Sequence, residues 1–152
     1  MILMIGGAFQ GKLDFAREHL GVTDCFTCDG PEIDFSCGCV RKIETFAACH
    51  EDPVGYFEAH RDQWRDCVLI MEDIFCGVVP MGAENRAWRQ KAGRLAQYLS
   101  READRVSRIF CGLELRLKWP SISSATARPW QTTGDCTAAA RTSACPNRAG
   151  KS

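Results

Sequence analysis

A chain of 152 residues with 19 basic and 19 acidic side chains carries no net charge, so it has no field to draw nucleic acid or an anionic membrane surface, and no apolar run is long enough to span a bilayer. The length fits one domain with a proper core. The apolar start breaks at Gly6 without a basic leader or cleavage site, so a cytoplasmic location is expected, and in that reducing compartment the 10 cysteines read as metal ligands or buried thiols rather than disulfides.

Met1 to Ile5 is an apolar run of strand length, followed by Gly6-Gly7-Ala8-Phe9-Gln10-Gly11-Lys12 and then a helical pattern. The spacing G-x-x-x-x-G-K after a strand is that of a phosphate-binding loop. Glycines at Gly6 and Gly11 permit backbone angles that let successive N–H groups, including those of Gly7 and Ala8, turn toward an anion. Lys12 adds a charge for the β and γ phosphates, and the helix beginning near Leu13 aims its positive end at them. Leu13 stands where such loops carry the Ser or Thr that ligates Mg²⁺. A turn that binds nothing is the plain alternative for this stretch.

The first helix runs through Phe15, Ala16 and Leu20 and ends at Gly21, with His19 at its surface or end. Val22 to Thr27 reads as a weak second strand closed by Asp29-Gly30-Pro31, and residues 32 to 39 show no period. Cys25, Cys28, Cys37 and Cys39 fall in this region, the one part of the chain where a small zinc-binding interaction module is conceivable. Val40, Ile43, Phe46 and Ala47 mark a short amphipathic helix stopping near His50. Asp52-Pro53 restarts a helix with an N-cap and a first-turn proline, carrying Val54, Phe57, Arg61 and Trp64, with His60 solvated.

Asp66 to Met71 is a continuous apolar run of the kind a parallel sheet covered on both faces requires. It ends in Glu72 and Asp73, at the strand edge where α/β sheets bind ligands, so either carboxylate is a candidate Mg²⁺ ligand, and capping the next loop is the alternative. Ile74 to Pro80 is an apolar loop. From Glu84 the positions Trp88, Ala92, Leu95, Leu99 and Ala103 step by three and four, an amphipathic helix. Arg86 and Arg89 lie off that stripe, early in the helix, where a guanidinium could meet a phosphate. Arg105 to Cys111 reads as a buried strand, and Leu113 to Lys118 alternates strictly, as an edge strand with one wet face does. Together these predict an α/β, P-loop-type three-layer sandwich with a mostly parallel sheet, reduced in strand number, over residues 1–118. Residues 119–152 turn to Ser, Thr, Ala, Pro, Arg and Gly, a composition expected to form a disordered tail.

Gly6-Gly7-Ala8-x-x-Gly11-Lys12, Asp73-x-x-x-Gly77-Val78-Val79-Pro80, Arg86-x-Trp88-Arg89 with Gly93 and Gln97, Ala103-Asp104-x-Val106, and Gly112-Leu113 ending in Leu117-Lys118 occur in an order that resembles the adenosylcobinamide kinase/adenosylcobinamide-phosphate guanylyltransferase family of cobalamin biosynthesis. The resemblance implies a P-loop transferase that uses ATP or GTP with Mg²⁺ to phosphorylate cobinamide, a corrinoid, and then transfers GMP through a guanylylated histidine; it also implies a homo-oligomer. On this chain it implies catalytic roles for Lys12 and Asp73, phosphate contacts from Gly6, Gly7, Ala8, Gly11, Lys12, Leu13, Arg86 and Arg89, and a metal site at Glu72 and Asp73.

The chain departs from the family at Leu13, at Phe75 where glycine is usual, and at Asp73 where glutamate is. It is shorter between the second strand and Cys67, lacking one strand with its acidic metal-binding position. No H-x-x-x-R-P motif is present, so neither His50 nor His60 is assigned as the nucleophile. A degenerate nucleotide-binding or regulatory protein is therefore the second expectation.

Overall fold

A computed structural model describes residues 1–119, so the expectation of a disordered tail lies outside the described residues from position 120 onward. The elements are β1 (Ile2–Gly6), α1 (Lys12–Leu20), β2 (Phe26–Thr27), β3 (Cys39–Arg41), α2 (Ile43–Cys49), α3 (Pro53–Ala59), α4 (Arg61–Trp64), β4 (Val68–Glu72), α5 (Ala83–Glu102), β5 (Arg105–Phe110) and β6 (Leu113–Lys118). They build a six-stranded sheet in the order β2-β3-β4-β1-β5-β6. All neighbours are parallel except β5 and β6. The chain is thus the α/β, mostly parallel sandwich its sequence predicts.

The period-two alternation of the central strands sends side chains into two separate apolar layers. Leu3, Leu69, Met71 and Val106 join Ile43, Phe46, Phe57, Trp64, Leu95 and Leu99 beneath α2, α3 and α5. Met4, Val68, Ile70 and Ile109 pack on the opposite face against Phe15 and Ala16 of α1. Continuous apolar strands are what burial on both faces demands. Asp52 caps α3 as expected, its Oδ1 accepting from Gly55 N at 3.0 Å, and the Trp64 indole donates to Phe57 O at 2.8 Å, closing the turn between α3 and α4 over the core.

Two expectations are corrected. The helix expected from Val40 begins only at Ile43, because Cys39, Val40 and Arg41 form β3, paired with Val68, Leu69 and Ile70. Lys42 makes the turn between them with φ 59°. The second strand shrinks to Phe26–Thr27. The edge strand alternates as predicted, but its leucines are the exposed set: Leu113, Leu115 and Leu117 keep more than half their surface, while Glu114 and Lys118 are half-buried. Among the described residues no helix is long and apolar enough to cross a membrane.

Candidate functional site

β1 lies between β4 and β5, and its last residue, Gly6, pairs with Glu72 at the end of β4. The loop from Gly7 to Gly11 leaves this edge and enters α1, so the sheet brings the glycine-lysine segment and the β4 carboxylate side by side. A cleft of about 260 Å³ opens there, lined by residues 9–14 with Arg41, Lys42, Ile70 and Glu72. Cleft, loop and helix start occupy the carboxyl edge of a parallel sheet, where this architecture places ligands.

Among the described residues, the backbone N–H groups of Ala8, Phe9, Gly11, Lys12 and Leu13 donate to no protein acceptor. The helix start adds its dipole to the same place. Lys12 is buried, and its Nζ donates to Gly6 O at 3.1 Å and Gly7 O at 2.6 Å, folding the loop back around its own ammonium. Burial pulls the Lys12 pKa below the ordinary lysine range, while the charges of Glu72 and Glu44 act to raise it.

The two glycines serve for different reasons. Gly11 has φ 78°, a left-handed angle that favours glycine. Gly6 does not; a Cβ there would lie 2.4 Å from Ile109 O, so this glycine is required by the close approach of β5. The second left-handed residue of the loop is Phe9, φ 58°, with its ring in solvent. Gln10, a variable position in the motif, holds the loop from outside: its Oε1 accepts from Cys111 N at 2.6 Å and its O from Gly112 N at 3.0 Å, tying the loop to the β5–β6 turn.

Glu44, not singled out by sequence, is 4% exposed in the first turn of α2. Its Oε2 accepts from Glu72 N at 2.8 Å, fixing the end of β4. Burial raises its pKa against the lowering effect of that hydrogen bond. An acidic residue one position after a β-branched residue that opens a helix carries little sequence signal; knowing that β3 precedes it would have placed it at the sheet edge.

Asp73 follows Glu72, with its N donating to Gly6 O at 3.0 Å and its Oδ2 facing Arg108 at 3.4 Å. Its Oδ1 is buried without a hydrogen-bond partner. Glu72 lines the cleft and Asp73 does not; carboxylates are the ligand type that Mg²⁺ takes, one or two of them together with phosphate oxygens and water. Leu13 contributes no oxygen to it, and among the described residues no three His, Cys, Asp or Glu side chains are grouped to hold an ion without such help.

Arg86 and Arg89 stand apart from the cleft lining. Arg86 donates to the carbonyls of Pro80, at 3.2 Å, and Met81; Arg89 reaches Val78 O at 2.6 Å and Cys76 O at 3.1 Å. Both hold the apolar loop against α5. His50 stacks on Phe46, and His60 on Tyr56; neither lines the cleft. Of the four cysteines considered for zinc, Cys28 is buried, Cys37 is exposed, and Cys25 and Cys39 face each other at 2.7 Å between sulfurs.

The sequence profile described as cobinamide kinase / cobinamide phosphate guanyltransferase matches residues 42–117. That span holds Glu44, Glu72, Asp73, Arg86 and Arg89 and ends in β6, and the loop from Gly6 to Lys12 precedes it. No curated protein matches the sequence.

Proposed function

The chain belongs to the cobinamide kinase / cobinamide phosphate guanyltransferase family, and from that premise we propose that it binds the triphosphate of ATP or GTP in the cleft between α1 and β4. One observation carries the reading: the unpaired N–H groups of Ala8, Phe9, Gly11, Lys12 and Leu13, a buried lysine and the positive end of α1 lie at one edge of the sheet. Such a convergence favours an anion with several oxygens over a neutral ligand. The loop lies outside the matched span, so its role is argued from its own geometry.

In this reading Gly6, Gly7, Ala8, Gly11 and Lys12 embrace the phosphates, with Leu13 contributing its N–H alone. Lys12 exchanges its two carbonyl partners for phosphate oxygens and stabilises the charge that develops as the terminal phosphoryl leaves. Glu72 and Asp73 would hold Mg²⁺, which supplies charge neutralisation across the phosphates when bound. Glu44 positions Glu72 through its backbone. Arg86 and Arg89 act by ordering the loop after β4. Phosphoryl transfer to a corrinoid such as cobinamide is the chemistry this arrangement supports.

A second reading, nucleotide binding without turnover, is favoured by Leu13 and by the absence of His50 and His60 from the cleft lining. Among the described residues, no histidine lines the cleft to carry guanylyl transfer there.

Calorimetric titration of ATP and GTP, with and without Mg²⁺, tests the reading. The wild-type chain is expected to bind, and Lys12→Ala to weaken binding by about tenfold to a hundredfold, the worth of one or two charge-assisted hydrogen bonds. Leu13→Ser should tighten the Mg²⁺-dependent part alone. Equal heats for wild type and Lys12→Ala would remove the phosphate seat. Phosphate transfer to cobinamide, assayed on the same preparations, divides enzyme from binding protein.

A further inference from the structure

We propose that Cys25 and Cys39 form an oxidation site, a dithiol that a peroxide converts into a disulfide bridging the strands β2 and β3. The two sulfurs lie 2.7 Å apart. Their meeting follows from the register: Phe26 of β2 pairs with Val40 of β3, so Cys25, immediately before β2, and Cys39, the first residue of β3, stand opposite one another. Strands so paired run about 4.8 Å apart, inside the Cα separation of about 4.4–6.8 Å that a disulfide tolerates.

The two thiols differ in the ways a reactive pair requires. Cys25 is half-exposed and open to a small oxidant, whereas Cys39 is fully buried. The hydrogen bond with Cys39 lowers the Cys25 pKa against the opposing effect of burial, and Arg41 and Arg17 add to the lowering. Cys39 is shifted the other way, first by that same hydrogen bond and then by burial. Cys25 is thus the more acidic, attacking cysteine and Cys39 the resolving one. Their neighbours lack this pairing: burial pushes the Cys28 thiol up to about 12, and Cys37 is solvent-exposed.

The Cys25 thiolate attacks one oxygen of a hydroperoxide, the O–O bond breaks, and the departing alkoxide takes a proton from water to leave as an alcohol. Cys25 is then a sulfenic acid. The Cys39 sulfur attacks the Cys25 sulfur, the S–S bond forms as the S–O bond breaks, and the hydroxide leaves as water with the Cys39 proton. The dithiol loses two protons and two electrons; the peroxide is reduced to alcohol and water, or to two waters when it is hydrogen peroxide.

Peptide mapping under non-reducing conditions, after brief treatment of the full chain with hydrogen peroxide, tests the proposal. Trypsin cannot separate the pair, because no Lys or Arg lies between Glu18 and Val40, so cleavage at acidic residues is used, which cuts at Asp29, Glu32 or Asp34. Expected are two fragments joined in a product lighter by two hydrogens, with tandem fragmentation locating the link at Cys25 and Cys39, and reversal by dithiothreitol. Cys28→Ser and Cys37→Ser should retain the link, and Cys25→Ser should lose it. A link through Cys28 or Cys37, or both Cys25 and Cys39 still alkylatable after oxidant has modified exposed Cys37, overturns the proposal. The wild-type fragmentation pattern decides the matter even where a serine variant fails to fold.

Discussion

Gly6 shows how a motif residue can be legible in identity and misleading in cause. Sequence assigns it to backbone freedom, the usual reason for glycine in a phosphate loop. Here that freedom is used at Gly11 and, without a glycine, at Phe9. What Gly6 answers to is Ile109 O, 2.4 Å from where its Cβ would be, and no stretch near Gly6 encodes a strand more than a hundred residues away. Gly6→Ala must therefore push β1 from β5. Overpacking of this sort costs about 1–3 kcal/mol, so urea unfolding should show a lower midpoint at unchanged slope. Gly7→Ala meets only the flexible Gln10 side chain, at 3.5 Å, and serves as the control. Equal midpoints for the two variants would mean that β1 and β5 are not held this close.

At the scale of elements, what was readable had either a long period or a local punctuation mark. The stripe of α5 and the apolar runs of β1 and β4 announce themselves over several residues, and Asp52-Pro53 marks the start of α3. That cap is testable: Asp52 is exposed and its contribution is the hydrogen bond to Gly55 N. Asp52→Ala should cost about 1 kcal/mol, seen as a lower Tm, while Asp52→Ser restores most of it; a Tm unmoved by Asp52→Ala would show α3 to be fixed by Phe57 alone. β3 lacked both kinds of signal. Three residues between Gly38 and Lys42 are too few for a period, and Val40 falls in step with Ile43 and Ala47, so the helical spacing absorbed it. With β3 hidden, Glu44 could not be placed at the sheet edge. The carboxylates after β4 were readable, since Glu72 and Asp73 close an apolar strand; the partners that give them a setting, Glu44 and Arg108, come from elsewhere in the chain.

For the whole molecule, β6 decides how the sheet ends. Its alternation was visible in sequence, but alternation does not say which set of side chains turns inward. Leucines would ordinarily win. Here Glu114 takes the inward position because β5 offers it Arg105 and Ser107, and Arg116 on its own strand completes the set, with Nε donors at 3.1 Å from both arginines. Burial acts to raise the Glu114 pKa, yet these hydrogen bonds outweigh it and bring the carboxyl to about 2 from its ordinary 4.5. A carboxyl lowered on folding stabilises the folded state at every pH above its unfolded value, and that contribution disappears as pH falls from about 4.5 toward about 2. Glu44, raised by burial, has the opposite slope, so the pH profile of the wild type alone mixes the two. The difference between wild type and Glu114→Gln isolates the first. At neutral pH the variant should melt at lower temperature, having exchanged charge-assisted bonds for neutral ones; as pH descends through that window its Tm should fall less than that of the wild type, and the two curves should converge. Parallel curves down to pH 2 would mean that the glutamate has the same affinity for protons folded and unfolded, and that β6 is held by its backbone ladder rather than by this cluster of charge.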